Sequence, residues 1–368
     1  MRFRRAGVLV LFCLSAATFA VAQVRQEIRF PDVAGYRTLK CDLHMHTVFS
    51  DGLVWPTVRV DEAWRQGLDA ISITDHIEYK PHRDDVSVDQ NRPFELAAAR
   101  ARERNIILIR GAEITRETPP GHFNAIFLRD VAPLEVKDFF EVFRQAAAQQ
   151  AFVFWNHPGW KGPEAGRWTD DHARIHAEGQ LHGVEICNGN TWYEDGHRYA
   201  LEKNLVLIGT SDEHGPFGDR PWTAEEHRTL TLVLAAERSE QGIREALFAG
   251  RTLVWCQNRL FGRPDHLAAM FEAAVEVRAP HARHKGETIA ELINRCALDL
   301  ELERVAGPGP SRIRVPAGGT VLVRFRESPD GDAARPVYRV TNMLSAPGKP
   351  LEAALQVPAP ELPQAQPG

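Results

Sequence analysis

Short apolar runs alternate with segments of helical periodicity along most of the chain. The runs include "RTLKCDLHMHT", "LDAISITDH", "NIILIRGAEIT", "HFNAIFL", "AFVFWNHP", "GVEICNG", "LVLIGTSDEH", "RTLTLVLAA" and "RTLVWC". Between them "PTVRVDEAWRQG", "PFELAAARARER", "PLEVKDFFEVFRQAAAQQ" and "EDGHRYALEKN" carry apolar residues at helical spacing, with Pro56 and Pro133 suited to first-turn positions. This alternation predicts an α/β domain, barrel-like and with a mostly parallel sheet. After about residue 280 the period changes to two: "LDLELERV" places Leu298, Leu300 and Leu302 against Asp299, Glu301 and Glu303, and "TVLVRFR" and "VYRVTN" follow suit. That pattern predicts antiparallel strands with one wet face. The expected layout is thus an α/β domain over 23–279, a β-rich domain over 280–357 and a Pro-rich, disordered tail over 358–368.

The first residues have a different character. "MRFRR" is a basic start, "AGVLVLFCLSAATFA" an apolar stretch and "AVA" a small-residue site before Gln23. A secretory signal peptide over 1–22, cut after Ala22, is expected. The apolar stretch is shorter than the roughly 20 residues of a membrane span. Phe12 before Cys13 leaves no lipobox, so the expected product is exported, periplasmic or secreted, without a membrane anchor.

Composition narrows the partners. A hydrophobic content of 43% and a charged content of 25% suit a globular protein, and a net charge of -5 favours neither nucleic acid nor a membrane surface as main partner. Oligomeric state is not legible. Cys41, Cys187, Cys256 and Cys296 are too widely spaced for a zinc knuckle, and three of them fall in apolar runs, so buried thiols are expected, with one disulfide open.

The chemistry gathers where strands end. His44 and His46 close the first run, and a strand's period of two turns both imidazoles the same way. Asp51 follows in "SDG", His76 ends "ITDH", Glu113 lies in "GAEIT", His122 in "GHFNA", His157 in "WNHPG", and Asp212 and His214 in "TSDEH". A lone histidine at a strand end is usually an ordinary hydrogen-bonded residue. Six histidines and three acids at the ends where a barrel gathers its active site are another matter. Metal ions would satisfy together what would otherwise be costly to bury.

In order, "DLHMHT", "SDG", "TDH", "GAE", "GHFNA", "NHPG" and "SDEH" resemble the motifs of the PHP superfamily, named for polymerase and histidinol phosphatase domains, over about residues 38–256. The resemblance implies a distorted (β/α)7 barrel that binds two or three metals and hydrolyses phosphate esters. It further implies one metal on His44, His46, Glu113 and Asp212. A second would sit on Asp51, His76 and His214, and a third on His122 and His157 with Glu113 as bridge. The signal peptide, the "WNHPGW" form of the fifth motif and the β-rich extension look most like secreted bacterial PHP phosphodiesterases acting on organophosphate diesters.

Imidazole and carboxylate ligands without thiolate suit manganese, iron or zinc. A water made nucleophilic as hydroxide between ions would attack phosphorus, with Asp212 both ligand and catalytic group. Thr47, Ser50, Ser211, Asp75 and Asn156 are expected to orient ligands. His197 or a metal-bound water is nominated to protonate the leaving group, and Arg116, Lys161, Arg198 and Arg83 are candidate phosphate contacts. Trp155, Trp160, Trp192 and Tyr193 could wall an aryl or alkyl ester group, which would favour a small-molecule phosphodiester. A phosphomonoesterase of the histidinol-phosphatase kind, a non-catalytic periplasmic binding protein and amidohydrolase-type C–N hydrolysis remain alternatives.

Overall fold

The computed structural model describes residues 24–33, 35–218, 222–326 and 335–359. The expected signal peptide and the tail from residue 360 lie outside them. No helix among the described residues is long and apolar enough to cross a membrane.

The first part of the chain runs β1 (Arg37–Asp42), α1 (Pro56–Arg65), β2 (Ala70–Ile73), α2 (Arg92–Glu103), β3 (Ile107–Ile114), β4 (Phe123–Ile126), α3 (Phe139–Ala148), β5 (Phe152–Trp155), α4 (Asp170–Ala177), β6 (Gly183–Asn188), β7 (Thr191–Trp192), α5 (Glu194–Glu202), β8 (Val206–Thr210), β9 (Leu230–Ala235), α6 (Glu240–Phe248), β10 (Thr252–Cys256), β11 (Arg259–Gly262) and α7 (Pro264–Ala274). Local chemistry sets the helix ends. Pro56 opens α1 and pre-sets its first turn. Asp138 caps α3 by accepting from the Glu141 N–H at 2.7 Å, and Ser239 caps α6 through Gly242. The segment expected to be helical from Pro133 therefore divides: Ala132–Leu134 make one 3-10 turn, and the α-helix starts only after the Asp138 cap.

One 15-stranded sheet holds most of these strands, in the order β10-β9-β1-β2-β3-β4-β5-β6-β7, with β8 also paired to β6. Its pairing is mixed rather than mostly parallel: β1·β2, β2·β3, β5·β6 and β6·β8 are parallel, whereas β9·β1, β10·β9, β3·β4 and β4·β5 are antiparallel. Segment 115–122 between β3 and β4 carries no helix, so it turns back as a hairpin where a parallel return would need a crossover. No backbone ladder joins β8 to β9 or β10 among the described residues. Side chains span that gap: Thr231 Oγ1 donates to the Gly209 carbonyl at 2.8 Å and accepts from its N–H, and Thr252 Oγ1 donates to the Leu207 carbonyl.

The rest of the chain is β12 (Val275–Val277), β13 (Ala282–His284), β14 (Glu287–Asn294), β15 (Leu300–Ala306), β16 (Arg312–Val315), β17 (Thr320–Arg326), β18 (Val337–Ala346) and β19 (Lys349–Ala354). β14 pairs with β12, β13 and β17 as a second, four-stranded sheet. Its residues alternate between buried and half-buried, as period-two sequence requires. β18 pairs with β15 and β19 and also runs parallel to β11, so the large sheet continues into the C-terminal strands. A shared core seals that junction, with Trp255, Leu260 and Phe271 packed in one cluster with Leu292, Leu300 and Val340. Cys41, Cys187, Cys256 and Cys296, the four cysteines among the described residues, are buried free thiols.

Candidate metal centre

β1 ends at Asp42, and His44 and His46 lie just beyond it, where Met45 still bridges to Glu213 in parallel fashion. Extended backbone keeps both imidazoles on one side. Their Nε2 atoms stand 3.1 Å apart, and both rings are fully buried. The "SDG" turn is tight: the Gly52 N–H donates to the Thr47 carbonyl at 2.9 Å, and a Cβ at Gly52 would sit 2.5 Å from the His46 carbonyl carbon. Only glycine lets Asp51 swing back over the histidines. His157 and Asp212 take positive φ values of 30° and 53°, a conformation costly for such residues and held here by the surrounding bonds.

Glu113, near the end of β3, is the hub. Its Oε2 lies 3.4 Å from His44 Nε2, 3.3 Å from His46 Nε2 and 2.8 Å from His76 Nδ1, and its Oε1 lies 3.0 Å from His122 Nδ1 and 3.6 Å from His157 Nε2. Asp212 Oδ1 approaches His44 and His46 at 3.1 and 3.0 Å. Asp51 Oδ1 lies 3.3 Å from His214 Nε2 and 3.5 Å from His76 Nε2. The structure thus brings all nine sequence-nominated ligands to one place. Four overlapping groups could each hold an ion: His46, Asp51, His76 and His214; His44, His157 and Asp212; His44, His46 and Glu113; His76, Glu113 and His122.

Two observations test whether ions fit. Asp51 Oδ1, Glu113 Oε2 and Asp212 Oδ1 are buried yet have no hydrogen-bond partner of proper geometry among the described residues, although imidazole nitrogens surround them. Converging lone pairs of this kind are what a cation satisfies. The proton balance agrees. Burial opposes charge on Glu113 and Asp212, but neighbouring histidines, His76 and His44 foremost for Glu113 and His44 and His46 for Asp212, hold both carboxyls well below their usual range. Burial pulls His44 down, but Asp212, Glu185 and Glu113 outweigh it and leave its pKa well above normal. His76, likewise desolvated, is raised to about 10 by Glu113 and Asp51, while burial takes His46 down to about 3. Protons on histidine balance the acids, and divalent cations would displace them.

Second partners fix the ligands. Glu185, buried in β6, accepts from His44 Nδ1 at 2.8 Å, from Thr210 Oγ1 at 2.6 Å, from the His157 N–H at 2.7 Å and from Asn188 Nδ2 at 2.9 Å. Asp75 accepts from the Thr47 N–H and hydroxyl and from the Ser50 hydroxyl, whose oxygen is 3.1 Å from His46 Nδ1. Asn156 donates to Glu113 Oε1, and the Ser211 hydroxyl donates to Asp42. Pattern reading had no claim on Glu185. Its available signal was a carboxylate inside the otherwise apolar run "GVEICNG".

Above the ligands opens a cavity of about 470 Å³, lined also by Tyr79, Thr115, Trp160, Asn188 and Tyr193. Several nominated residues lie elsewhere. His197, on the inward face of α5, is buried against Phe261 and Trp192 and does not line the cavity, because the helix turns that face to the sheet. Trp155 is 1% exposed and packs on His172, Trp168 and Tyr199. Arg116 is drawn away by an ion pair with Glu78 and a bond to the Val136 carbonyl. Lys161 folds over the Trp160 ring, with Nζ 4.7 Å from its centroid. Arg198 pairs with Asp195 and Glu194 on the surface, and Arg83 is exposed. A larger hollow of about 570 Å³, between β16 and β17, shares no residue with the ligand set.

No family model matches the sequence, and no curated protein matches it either. Among solved structures, a Bacteroides vulgatus protein described as a two-domain protein containing a predicted PHP-like metal-dependent phosphoesterase is 45% identical, with a TM-score of 0.86, over 91% of this chain and 100% of its own. A Bifidobacterium adolescentis protein described as a metal-dependent phosphoesterase is 17% identical, with a TM-score of 0.40, over 56% of this chain and 95% of its own. Endonuclease Q, solved with a duplex carrying an abasic lesion, is 12% identical, with a TM-score of 0.43, over 62% of this chain and 60% of its own. The last two likenesses are too partial to carry weight. The first, at that identity along the whole of the Bacteroides chain, places this protein in the family of PHP-like metal-dependent phosphoesterases.

Proposed function

We propose that the protein hydrolyses phosphate esters, and phosphodiesters in particular, at a centre of two or three divalent ions, manganese, iron or zinc. The observation that carries this is the convergence of six histidines and three acids, of which His76, His122, His157, His214, Asp51, Glu113 and Asp212 line one open cavity with His44 and His46 buried directly behind them. His44, His46, Glu113 and Asp212 would hold one ion, Asp51, His76 and His214 a second, and His122 and His157 a third with Glu113 shared. Bound there, the ions would supply positive charge against the phosphoryl oxygens and lower the pKa of water at the site. Water then adds to phosphorus as one P–O ester bond breaks, giving a phosphomonoester and an alcohol, the departing oxygen gaining a proton.

The chain's own groups position and exclude. Glu185 and Asp75 hold the first-motif side chains, and Asn156 and Asn188 hold Glu113 and Asp212 from behind. Tyr193 lines the cavity, and burial, followed by the charges of Glu185 and Asp212, pushes its phenol well above the usual tyrosine range. It therefore stays protonated and can donate to the leaving oxygen, the part first given to His197. Among the described residues no lysine or arginine lines the cavity. A diester monoanion suits that lining better than a monoester dianion.

The (β/α)7 barrel reading fits this placement. Leu39, Ile109, Phe154, Ile208 and Val233 from five strands pack in one cluster, and Thr231 and Thr252 bridge the strands that would complete the ring. The division into an α/β unit over 23–279 and a β-rich unit over 280–357 is part of the proposal, as is export after cleavage at Ala22. The test is turnover by the metal-loaded protein of bis(4-nitrophenyl) phosphate against 4-nitrophenyl phosphate. Faster diester cleavage is expected, and faster monoester cleavage would overturn the diesterase reading.

A further inference from the structure

Two large aromatic rings stand half open to solvent at the mouth of the metal cavity, Tyr79 at 52% exposure and Trp160 at 48%. They come from different loops, one after β2 and one after β5. Each leans on ligand histidines: the Tyr79 ring lies 6.0 Å from His76 at 64°, and the Trp160 ring 5.8 Å from His122 at 57° and 5.5 Å from His157 at 77°. A single exposed aromatic is unremarkable. Two that share a cavity with seven of the nine ligands are placed to meet whatever is attached to the phosphate.

We infer that Tyr79 and Trp160 are specificity-determining residues that receive a planar arm on the retained ester oxygen, so that the site favours phosphodiesters whose retained substituent is aromatic. This rests on the diesterase reading. An aryl ester sets its ring one oxygen away from phosphorus, which brings a ring onto Tyr79 or Trp160 when the phosphate lies over His76 and His122. Ring faces favour such contact in offset or edge-on geometry. The Lys161 ammonium at 4.7 Å from the Trp160 centroid steadies the indole. The uncharged side chains at the mouth are Thr115, Asn188 and Tyr193, which can hydrogen-bond an arm but cannot pair a charged one.

The experiment compares phenyl 4-nitrophenyl phosphate with methyl 4-nitrophenyl phosphate on the full-length, metal-loaded chain. The two share a leaving group and differ only in the arm. Because intrinsic reactivity is the same for every variant, the change in the ratio of their kcat/KM values reads the arm contact alone. Trp160→Ala is expected to lower the phenyl-to-methyl ratio by about tenfold, and Tyr79→Ala by about threefold, mainly through KM, in line with the usual worth of aromatic stacking. Trp160→Phe keeps most of the ratio. Metal content and thermal melting are followed in parallel, and both rings are exposed enough for the fold to survive. A ratio unchanged in both alanine variants at wild-type metal content overturns the inference and leaves the diesterase reading in place. Failure of the metal-loaded wild type to cleave either diester overturns the diesterase reading, and this inference with it.

Discussion

His44 Nδ1 lies 2.8 Å from Glu185 Oε1, both groups fully buried. The imidazole Nδ1–H donates to the carboxylate, so the proton that a metal ion would displace is the one on Nε2, which faces Asp212 and Glu113. The same carboxylate receives the His157 backbone N–H and Asn188 Nδ2, so one side chain holds groups at three strand ends, two of them ligands. Carboxylate partners of metal-binding histidines raise their basicity and fix their rings. Glu185→Ala is therefore expected to weaken metal binding by about 10- to 100-fold. Titration of metal-free protein with manganese or zinc reads this directly, and an unchanged affinity would mean that Glu185 does not act through His44.

Arg59 ties the beginning of the site to its end. Its fully buried guanidinium donates to the carbonyls of His46 at 2.9 Å, Gly215 at 2.7 Å and Glu213 at 2.9 Å, and pairs with Glu62 at 2.8 Å. Removing it takes a donor from three carbonyls and leaves buried Glu62 with the Phe217 N–H at 2.7 Å and the Arg228 guanidinium at 3.9 Å. Arg59→Met should destabilise the fold by about 3–5 kcal/mol in denaturant titrations, the usual cost of breaking a buried ion pair from one side. Arg59→Lys should recover only part, since an ammonium cannot reproduce the planar fork. A loss below about 1 kcal/mol, a surface-pair value, would contradict this role.

Acid sensitivity has an identifiable source. Burial lowers His197 to about 4, and neither ring nitrogen has a hydrogen-bond partner among the described residues. Unfolded histidine titrates near about 6.5. Between those values the unfolded state binds more protons, so the stability that neutral His197 contributes is complete above about pH 6.5 and is lost as pH falls towards 4. His172 and His182, also lowered by burial to about 4, act in the same direction. His197→Phe, apolar and near in shape, should lose less stability between pH 7 and pH 5 than wild type in matched urea titrations. Equal losses would show that His197 is not among the acid-sensitive groups.

What the residues disclosed in advance, and what they hid, follows from the range of each interaction. The pair at His44 and His46 was legible because strand period is a local property, and Asp51 because the Gly52 turn is local too. The helix boundary at Asp138 lay in plain view as a capping residue but was outweighed by the earlier Pro133. Glu185 was hidden, since its partners His44, His157 and Thr210 are distant in sequence and only the fold assembles them. His197 misled for the reverse reason. Nominated to protonate the leaving group, it is turned by the helical period of α5 towards Phe261, while Tyr193 lines the cavity. Tyr79 carried no motif and became visible only through the cavity it lines.

The central claim is that the nine-ligand cluster is a metal centre for phosphodiester hydrolysis. Its most direct test is the initial rate of bis(4-nitrophenyl) phosphate hydrolysis as metal-free protein is titrated with manganese, iron or zinc under anaerobic conditions. The account predicts negligible hydrolysis without metal and a rise that levels off only after at least two equivalents per chain. A rate indifferent to added metal, or no hydrolysis at any occupancy, would contradict it.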